Sequence, residues 1–365
     1  MTKPLRVAVI GVGMLGRHHA RILSTLPNVQ LVAVVDPVAE RAQPIAAEYH
    51  CDWVQDYRAL ANDSAEQIDA ACVVVPTSLH CEVGSYLLKR GIPLLIEKPL
   101  APTAMAGAVL VELARRNKVL LQVGHVERFN PAFEMLAERV RQPKYIRTER
   151  LSPYPFRSTD IGVIHDLMIH DLELVQSLTG SAVVRVEAFG LSLLGGHEDC
   201  VTARLTFADG CRADLTANRV CPQTVRTIQV WSAAGCIQCD LHARTLTSYR
   251  PGAALQAGEL PFELSQQPDA DLPALKAAIF EKYLPIEHYQ APTEDALTNE
   301  LTDFINAVRS GSLPRVSGEV GLAALETADT VLASVAAHRW DGFQTDSRVG
   351  PFALLSTSAI RARAA

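Results

Sequence analysis

Long hydrophobic runs are missing from this sequence. No apolar stretch among its 365 residues approaches the roughly 18 that a bilayer crossing needs, so no membrane role is expected. An excess of positive charge is missing too. The 34 Lys and Arg stand against 40 Asp and Glu, a net charge of −6, which argues against a broad nucleic-acid surface. The opening MTKPLRVAVIGVG lacks the basic flank, apolar core and small-residue cleavage site of a secretion signal, and a cytoplasmic location is expected. Cysteines are few and scattered. The eight, Cys51, Cys72, Cys81, Cys200, Cys211, Cys221, Cys236 and Cys239, fit reduced thiols rather than a disulfide framework. Cys236 and Cys239 form a CxxC within a strand–turn–strand pattern, with no second ligand pair, so neither redox nor zinc duty is expected of it. There is no internal repeat and no low-complexity tract.

What remains is an ordinary globular composition, 48% hydrophobic and 20% charged. Its length suggests about two domains and can bury a large core without staples. In the first third, apolar runs alternate with helical patterns. Residues 5–10, 29–35, 70–75, 93–97 and 119–123 read as strands, and 17–25, 39–49, 79–90 and 103–117 as helices. Such alternation gives parallel βαβ units with helices on both faces.

After about residue 125 the pattern changes. Helices are expected at 133–141 and 164–178, then strands at 184–194, 201–208, 211–218, 226–232, 236–241 and 245–249. Asp209-Gly210 and Ala234-Gly235 supply turns, so this sheet is expected to be largely antiparallel. Residues 251–271 read as a loop, 293–309 and 320–339 as helices, and 341–365 shows no clear periodicity. The fold class is therefore α/β, a doubly wound parallel sheet followed by an α+β domain.

The strongest local signal is Gly11-Val12-Gly13-Met14-Leu15-Gly16. This G-x-G-x-x-G follows a strand, opens a helix, and is followed by Asp36 at the end of the next strand. The first glycine permits the tight turn, the second lets backbone approach a pyrophosphate, and the third lets helix and strand pack closely. The helix start aims N–H groups at the anion. A carboxylate at position 36 can accept both ribose hydroxyls of NAD and would repel the 2′-phosphate of NADP. The next residues, Pro37-Val38-Ala39, supply no arginine for that phosphate, so NAD is the expected cofactor.

Two further groups carry chemistry. The fourth strand ends in Glu97-Lys98-Pro99, which directs Lys98 toward the crevice at the carboxyl ends of the strands and makes its bond to Pro99 a candidate for cis geometry. Further on, Asp166 and His170 stand four apart and share a face of an α-helix, while His165, five before His170, does not. No additional ligands at metal spacing accompany them, and no metal is expected.

The G-x-G-x-x-G with Asp36, Pro76-Thr77 and His80 after the third strand, Glu97-Lys98-Pro99, and Asp166-x-x-x-His170, in that order, resemble the glucose–fructose oxidoreductase/inositol dehydrogenase/MocA family. The resemblance runs over roughly residues 5–340. It implies an N-terminal Rossmann domain at 1–125 and a C-terminal domain at 126–340 with a large open, mostly antiparallel sheet, followed by a tail at 341–365. It implies a homodimer or homotetramer formed through that sheet. NAD would be held by Gly11, Gly13, Met14, Leu15, Gly16, Asp36, Pro76, Thr77, His80, Glu97 and Lys98. Lys98 and His170 would be the catalytic pair, with Asp166 positioning substrate or histidine. Just before that pair the usual glycine-rich segment is replaced by Thr159-Asp160-Ile161-Gly162-Val163-Ile164.

Gly124-His125-Val126-Glu127-Arg128-Phe129-Asn130-Pro131, taken with His165-Asp166-Leu167-Met168-Ile169-His170-Asp171, resembles the branch that oxidises nucleotide-activated amino sugars, UDP-N-acetylglucosamine at its 3-hydroxyl above all. On that reading Arg128, Asn130, Arg157, Asp166 and His170 face the substrate, with Tyr154, Thr159, Arg219 and Arg226 as further candidates. Arginines suit a diphosphate. The chemistry is coherent in itself. An imidazole can take the proton of a secondary alcohol, and an ammonium can stabilise the alkoxide as a hydride leaves. Two other readings remain open: a dehydrogenase of a free polyol or monosaccharide, and an NAD-sensing regulator without chemistry. The presence of Lys98, Asp166 and His170 together counts against the regulator.

Overall fold

A computed structural model describes residues 3–61, 68–154, 156, 161–194 and 197–338. They form two compact units, residues 3–129 with Glu294–Asp329, and Asn130–Thr293 with residues 330–338.

The first unit is built on β1 (Leu5–Ile10), β2 (Val29–Val35), β3 (Asp52–Val54), β4 (Ala70–Val73), β5 (Leu94–Glu97) and β6 (Leu121–Gly124). Their order is β3-β2-β1-β4-β5-β6, with every pair parallel. This is the Rossmann order, and the crevice for a dinucleotide lies where it reverses, at the carboxyl ends of β1 and β4. β4, β5 and β6 are buried along their whole length, as apolar strands covered on both faces must be. The crossover helices are α1 (Gly16–Thr25), α2 (Ala39–Glu48), α3 (His80–Leu88) and α4 (Ala104–Asn117). α4 starts where the Thr103 side chain accepts the Ala106 N–H and stops at Lys118 in the left-handed region.

The second unit opens with α5 (Pro131–Arg139) and β7 (Tyr145–Leu151), then α6 (Ile169–Thr179). There follow β8 (Val183–Leu191), β9 (Cys200–Phe207), β10 (Arg212–Asn218), β11 (Val225–Ser232), β12 (Gly235–Asp240) and β13 (Thr245–Tyr249). The segment expected as a loop is partly helical, with α7 (Ala253–Gln256) and α8 (Pro261–Ser265); α9 (Leu272–Ala278) follows it and precedes β14 (Ile286–Gln290). The eight strands order as β14-β13-β12-β11-β7-β10-β9-β8, and only β7 and β10 pair in parallel. Along β10, Ala213, Leu215 and Ala217 are buried while Arg212, Asp214 and Thr216 turn to the other face. α6 packs on β7 and β10, and α5 on β12 and β13.

The last elements among the described residues are α10 (Ala296–Ser310) and α11 (Gly318–Ala337). A division at residue 125 would leave both helices with the second domain. The structure instead packs α10 on the parallel sheet. Leu301, Phe304 and Ile305 of α10 enter the same core as Val7, Val9, Leu23 and Leu31. α11 begins in the first unit and ends in the second. Among the described residues it is the one helix long and apolar enough to cross a membrane, and its Ala324, Leu325, Ala328 and Val331 are fully buried in the protein.

Candidate active site

The dinucleotide turn is shaped by packing. Gly11 has φ +88°, and a Cβ there would stand 2.5 Å from the Val74 carbonyl oxygen. A Cβ on Gly16 would stand 1.9 Å from the Gly11 oxygen, whereas Gly13 faces nothing within 4 Å. The first and third glycines are thus demanded by the protein itself, and the second leaves room for a ligand. Met14 and Leu15 are exposed at the start of α1. Asp36, just past the end of β2, is buried. Its carboxylate accepts the Val12 N–H at 3.2 Å and the Val38 N–H at 3.0 Å, with Arg41 Nη1 at 3.4 Å. A cavity of about 900 Å³ opens here, lined by Gly11, Gly13, Asp36, Arg41, Pro76 and Leu79 among others. A clear glycine beside a helix start, and a fixed carboxylate at a strand end, fit the diphosphate and ribose of NAD.

Asp36→Ser combined with Pro37→Arg is therefore expected to shift kcat/KM from NAD toward NADP by about ten- to a hundredfold, the worth of one charge-assisted hydrogen bond. Equal use of both cofactors by the unmodified protein would remove Asp36 as the selector.

The other residues of the first unit divide in two. Pro76 lines the cavity, and Thr77 opens the 3₁₀ turn Thr77–Leu79 beside it. His80 does not line the cavity. It is buried, with Nδ1 2.9 Å from the Pro99 oxygen and Nε2 2.9 Å from the Val75 oxygen. It straps the turn after β4 to the turn after β5, and burial pushes its pKa down against those two contacts. Glu97, the last residue of β5, is also buried. Its Oε1 lies 3.0 Å from His19 Nε2, and its Oε2 accepts the Lys98 N–H at 3.2 Å. Lys98 is half-buried and its bond to Pro99 is cis. His125, directly after β6, is fully enclosed. Burial, helped by the charges of Lys98 and Arg128, pushes it down to about 3, so it is a neutral imidazole beside two cations. His19 carries no expected role, and His125 enters the sequence pattern only as a member of the Gly124–Pro131 motif. The available signal was a histidine on the apolar face of α1, three residues after Gly16.

In the second unit, Asn130 caps α5. Its Oδ1 accepts the Ala132 N–H at 3.0 Å and its Nδ2 donates to the Leu241 oxygen at 3.1 Å, so its amide is engaged in structure. The Asp166–His170 segment is not a regular α-helix. It begins as a π turn, Ile164–Met168, in which the Ile169 N–H donates to the Ile164 oxygen. A π turn closes on the fifth residue instead of the fourth. The α-helical spacing that set His165 apart therefore fails. The smaller rotation per residue in a π turn narrows the angle between His165 and His170, five apart, from that of a regular α-helix. His165 and Asp166 are buried and His170 half-buried.

Three carboxylates hold this segment. Glu198 Oε1 accepts the Ile164 N–H at 3.2 Å, and a Cβ on Gly162 would fall 1.8 Å from that oxygen. Asp171, next to His170, takes Arg150 Nη2 at 2.8 Å and Nε at 3.1 Å. Asp199 takes Arg219 Nε at 2.8 Å, and Arg219 Nη1 donates to the Ile161 oxygen at 2.8 Å. Arg219 is fully buried, with Tyr154 at 5.2 Å from its guanidinium. Its charge is spent on Asp199, which corrects its reading as a diphosphate contact. Arg226 is exposed on β11, and Arg128 is half-buried in the turn after β6. Arg157 and Thr159 lie outside the described residues. Cys236 and Cys239 are both buried on β12, where a spacing of three puts them on opposite faces of the strand.

Residues 5–125 match the family model described as "Oxidoreductase family, NAD-binding Rossmann fold", and residues 139–238 match "GFO/IDH/MocA C-terminal domain". A UDP-N-acetylglucosamine 3-dehydrogenase from Acidithiobacillus ferrooxidans is 33% identical over 334 residues, covering 91% of this chain and 98% of that protein. The chain belongs to the GFO/IDH/MocA oxidoreductase family. A solved structure of the Acidithiobacillus ferrooxidans enzyme shares its fold with a TM-score of 0.79 at 32% identity, covering 92% of this chain and 98% of that one. A scyllo-inositol 2-dehydrogenase (NAD(+)) from Bacillus subtilis is 29% identical over 239 residues, 61% of this chain and 69% of that protein. This GFO/IDH/MocA protein is a dehydrogenase of sugar or polyol CH–OH groups, it takes NAD as cofactor, and its substrates are small molecules.

Proposed function

We propose that this family member oxidises the 3-hydroxyl of a UDP-N-acetylhexosamine such as UDP-N-acetylglucosamine, giving the 3-keto sugar. The observation that carries the reading is the 33% identity to the Acidithiobacillus ferrooxidans enzyme along 91% of the chain. NAD, when bound, supplies the hydride acceptor. The Gly11–Gly16 turn and the start of α1 hold its diphosphate, and Asp36 holds the adenosine ribose. Lys98 stabilises negative charge on the substrate oxygen, and His170 takes the hydroxyl proton. Asp166 orients His170 or the sugar. Arg128 and Arg157 face the diphosphate of the substrate. The open face of the eight-stranded sheet joins copies into a homodimer or homotetramer. NAD use and free thiols support a cytoplasmic location.

A panel of UDP-sugars and free polyols, each with NAD and NADP, tests this through absorbance of the reduced cofactor. UDP-N-acetylglucosamine is expected to turn over, with a KM that rises with salt as arginine–phosphate attraction is screened. Turnover of myo-inositol with none of any UDP-sugar would replace this reading with the second one, a free-polyol dehydrogenase, which the Bacillus subtilis relative favours.

A further inference from the structure

We infer that His19 and Glu97 form a positioning pair that ties the diphosphate-holding helix α1 to the Lys98 turn, so that cofactor binding sets where the Lys98 ammonium stands. The inference rests on the reading of Lys98 as catalytic. His19 sits on the inward face of α1, fully buried, one helical turn below Gly16. Its Nε2 reaches across to Glu97 Oε1 at 3.0 Å, and the other carboxylate oxygen grips the backbone N–H of Lys98 at 3.2 Å. β6 keeps room for this carboxylate. A Cβ on Gly124 would stand 2.9 Å from Glu97 Cδ.

The turn is held from its other side as well, because His80 reaches the Pro99 oxygen at 2.9 Å. Burying a carboxylate and an imidazole costs more than filling the same space with apolar side chains. What the polar pair adds is direction. It forms a short chain of fixed contacts from the helix whose first N–H groups face the diphosphate to the backbone that carries Lys98. Neither residue need touch substrate for this effect, since a misplacement of about 1 Å at a reacting group can cost a hundredfold in rate.

The test uses the full chain with NAD and two readouts. The first is acetylation of Lys98 by limiting acetic anhydride, followed by mass spectrometry with and without NAD. The second is kcat with UDP-N-acetylglucosamine, alongside the Kd for NAD. In the unmodified protein NAD is expected to change the Lys98 acetylation rate. In His19→Leu that change should shrink by at least half, and kcat should fall about ten- to a hundredfold while the NAD Kd moves less than about threefold. His19→Gln should restore both readouts, because its amide nitrogen can stand where Nε2 stood. Gly124→Ala should reproduce the loss by displacing the carboxylate. Should His19→Leu fail to fold, His19→Asn, whose amide stops short of Glu97, takes its place with the same expectations.

An NAD response of Lys98 that is absent from the unmodified protein, or intact in His19→Leu, overturns the inference. The failure then lies in the coupling if Lys98→Met is inactive, and in the reading of Lys98 if Lys98→Met still turns over.

Discussion

Replacing Lys98 by Met, or His170 by Ala, is expected to lower kcat by about two to four orders of magnitude, the span typical of lost electrostatic or acid–base assistance. NAD affinity should hardly move in either variant. On the proposed reading the diphosphate sits on the Gly11–Gly16 turn and the ribose on Asp36, and neither contact depends on Lys98 or His170. KM for the sugar should move less than kcat, because in the proposed roles both groups act on charge that develops as the bond breaks. Asp166→Asn should be milder than His170→Ala if it only orients its neighbour. Fluorescence titration with NAD and steady-state rates on the same preparations check this. The π turn makes His165 the decisive control. In a regular α-helix it would point away from His170 and its loss would be silent. The segment Ile164–Met168 brings it toward the same face. If His165→Ala abolishes turnover while His170→Ala keeps it, with both variants folded and binding NAD, the proton acceptor is His165.

That turn shows where the sequence stops being informative. The parallel sheet was legible because each strand is a continuous apolar run, and because Gly11, Gly13, Gly16 and Asp36 act within one βαβ unit. Local rules govern them, and local rules can be read. β7 was not legible. Its residues, YIRTERL, place Arg150 inward, and an inward arginine makes sense only once Asp171, 21 positions later, is seen against it. α10 carries an evident apolar stripe, yet nothing in the stripe says that it covers the first sheet and not the second. Asn130 and Arg219 have the chemistry to bind a sugar or a phosphate. The commitment of Asn130 to Leu241 depends on a strand end 111 positions away, and that of Arg219 to Asp199 on how β9 and β10 pair. The π turn escapes pattern reading for a different reason, since one inserted residue leaves composition and hydrophobic content unchanged and alters only the angle between side chains. The residues with legible roles are those that act within one recurring βαβ unit, and Glu97 with His19, 78 positions apart and outside any such unit, is the corresponding loss at the site itself.

Arg150→Met is expected to destabilise the second unit by about 3–5 kcal/mol, the usual penalty for removing one partner of a buried ion pair. The pair qualifies on geometry. Side-chain exposure is 4% for Arg150 and 3% for Asp171, and Arg150 Nε lies 3.1 and 3.2 Å from the two carboxylate oxygens. Removing the guanidinium takes from a buried carboxylate, between β7 and α6 and beside His170, the charge that lies 2.8 Å from it. The double variant Arg150→Met with Asp171→Leu should regain most of the lost stability, since an apolar pair of similar volume replaces a desolvated one. Denaturant melts of the single and double variants measure this directly. Recovered stability need not bring recovered rate. Arg150 is the contact that fixes α6 against the central strand one residue after His170. A double variant that melts like the unmodified protein but turns over more slowly would assign the pair to positioning His170, whereas full recovery of kcat would leave it a stability element only. A loss below about 1 kcal/mol in Arg150→Met would mean that Asp171 finds another partner or a proton, and that α6 is anchored by apolar packing alone.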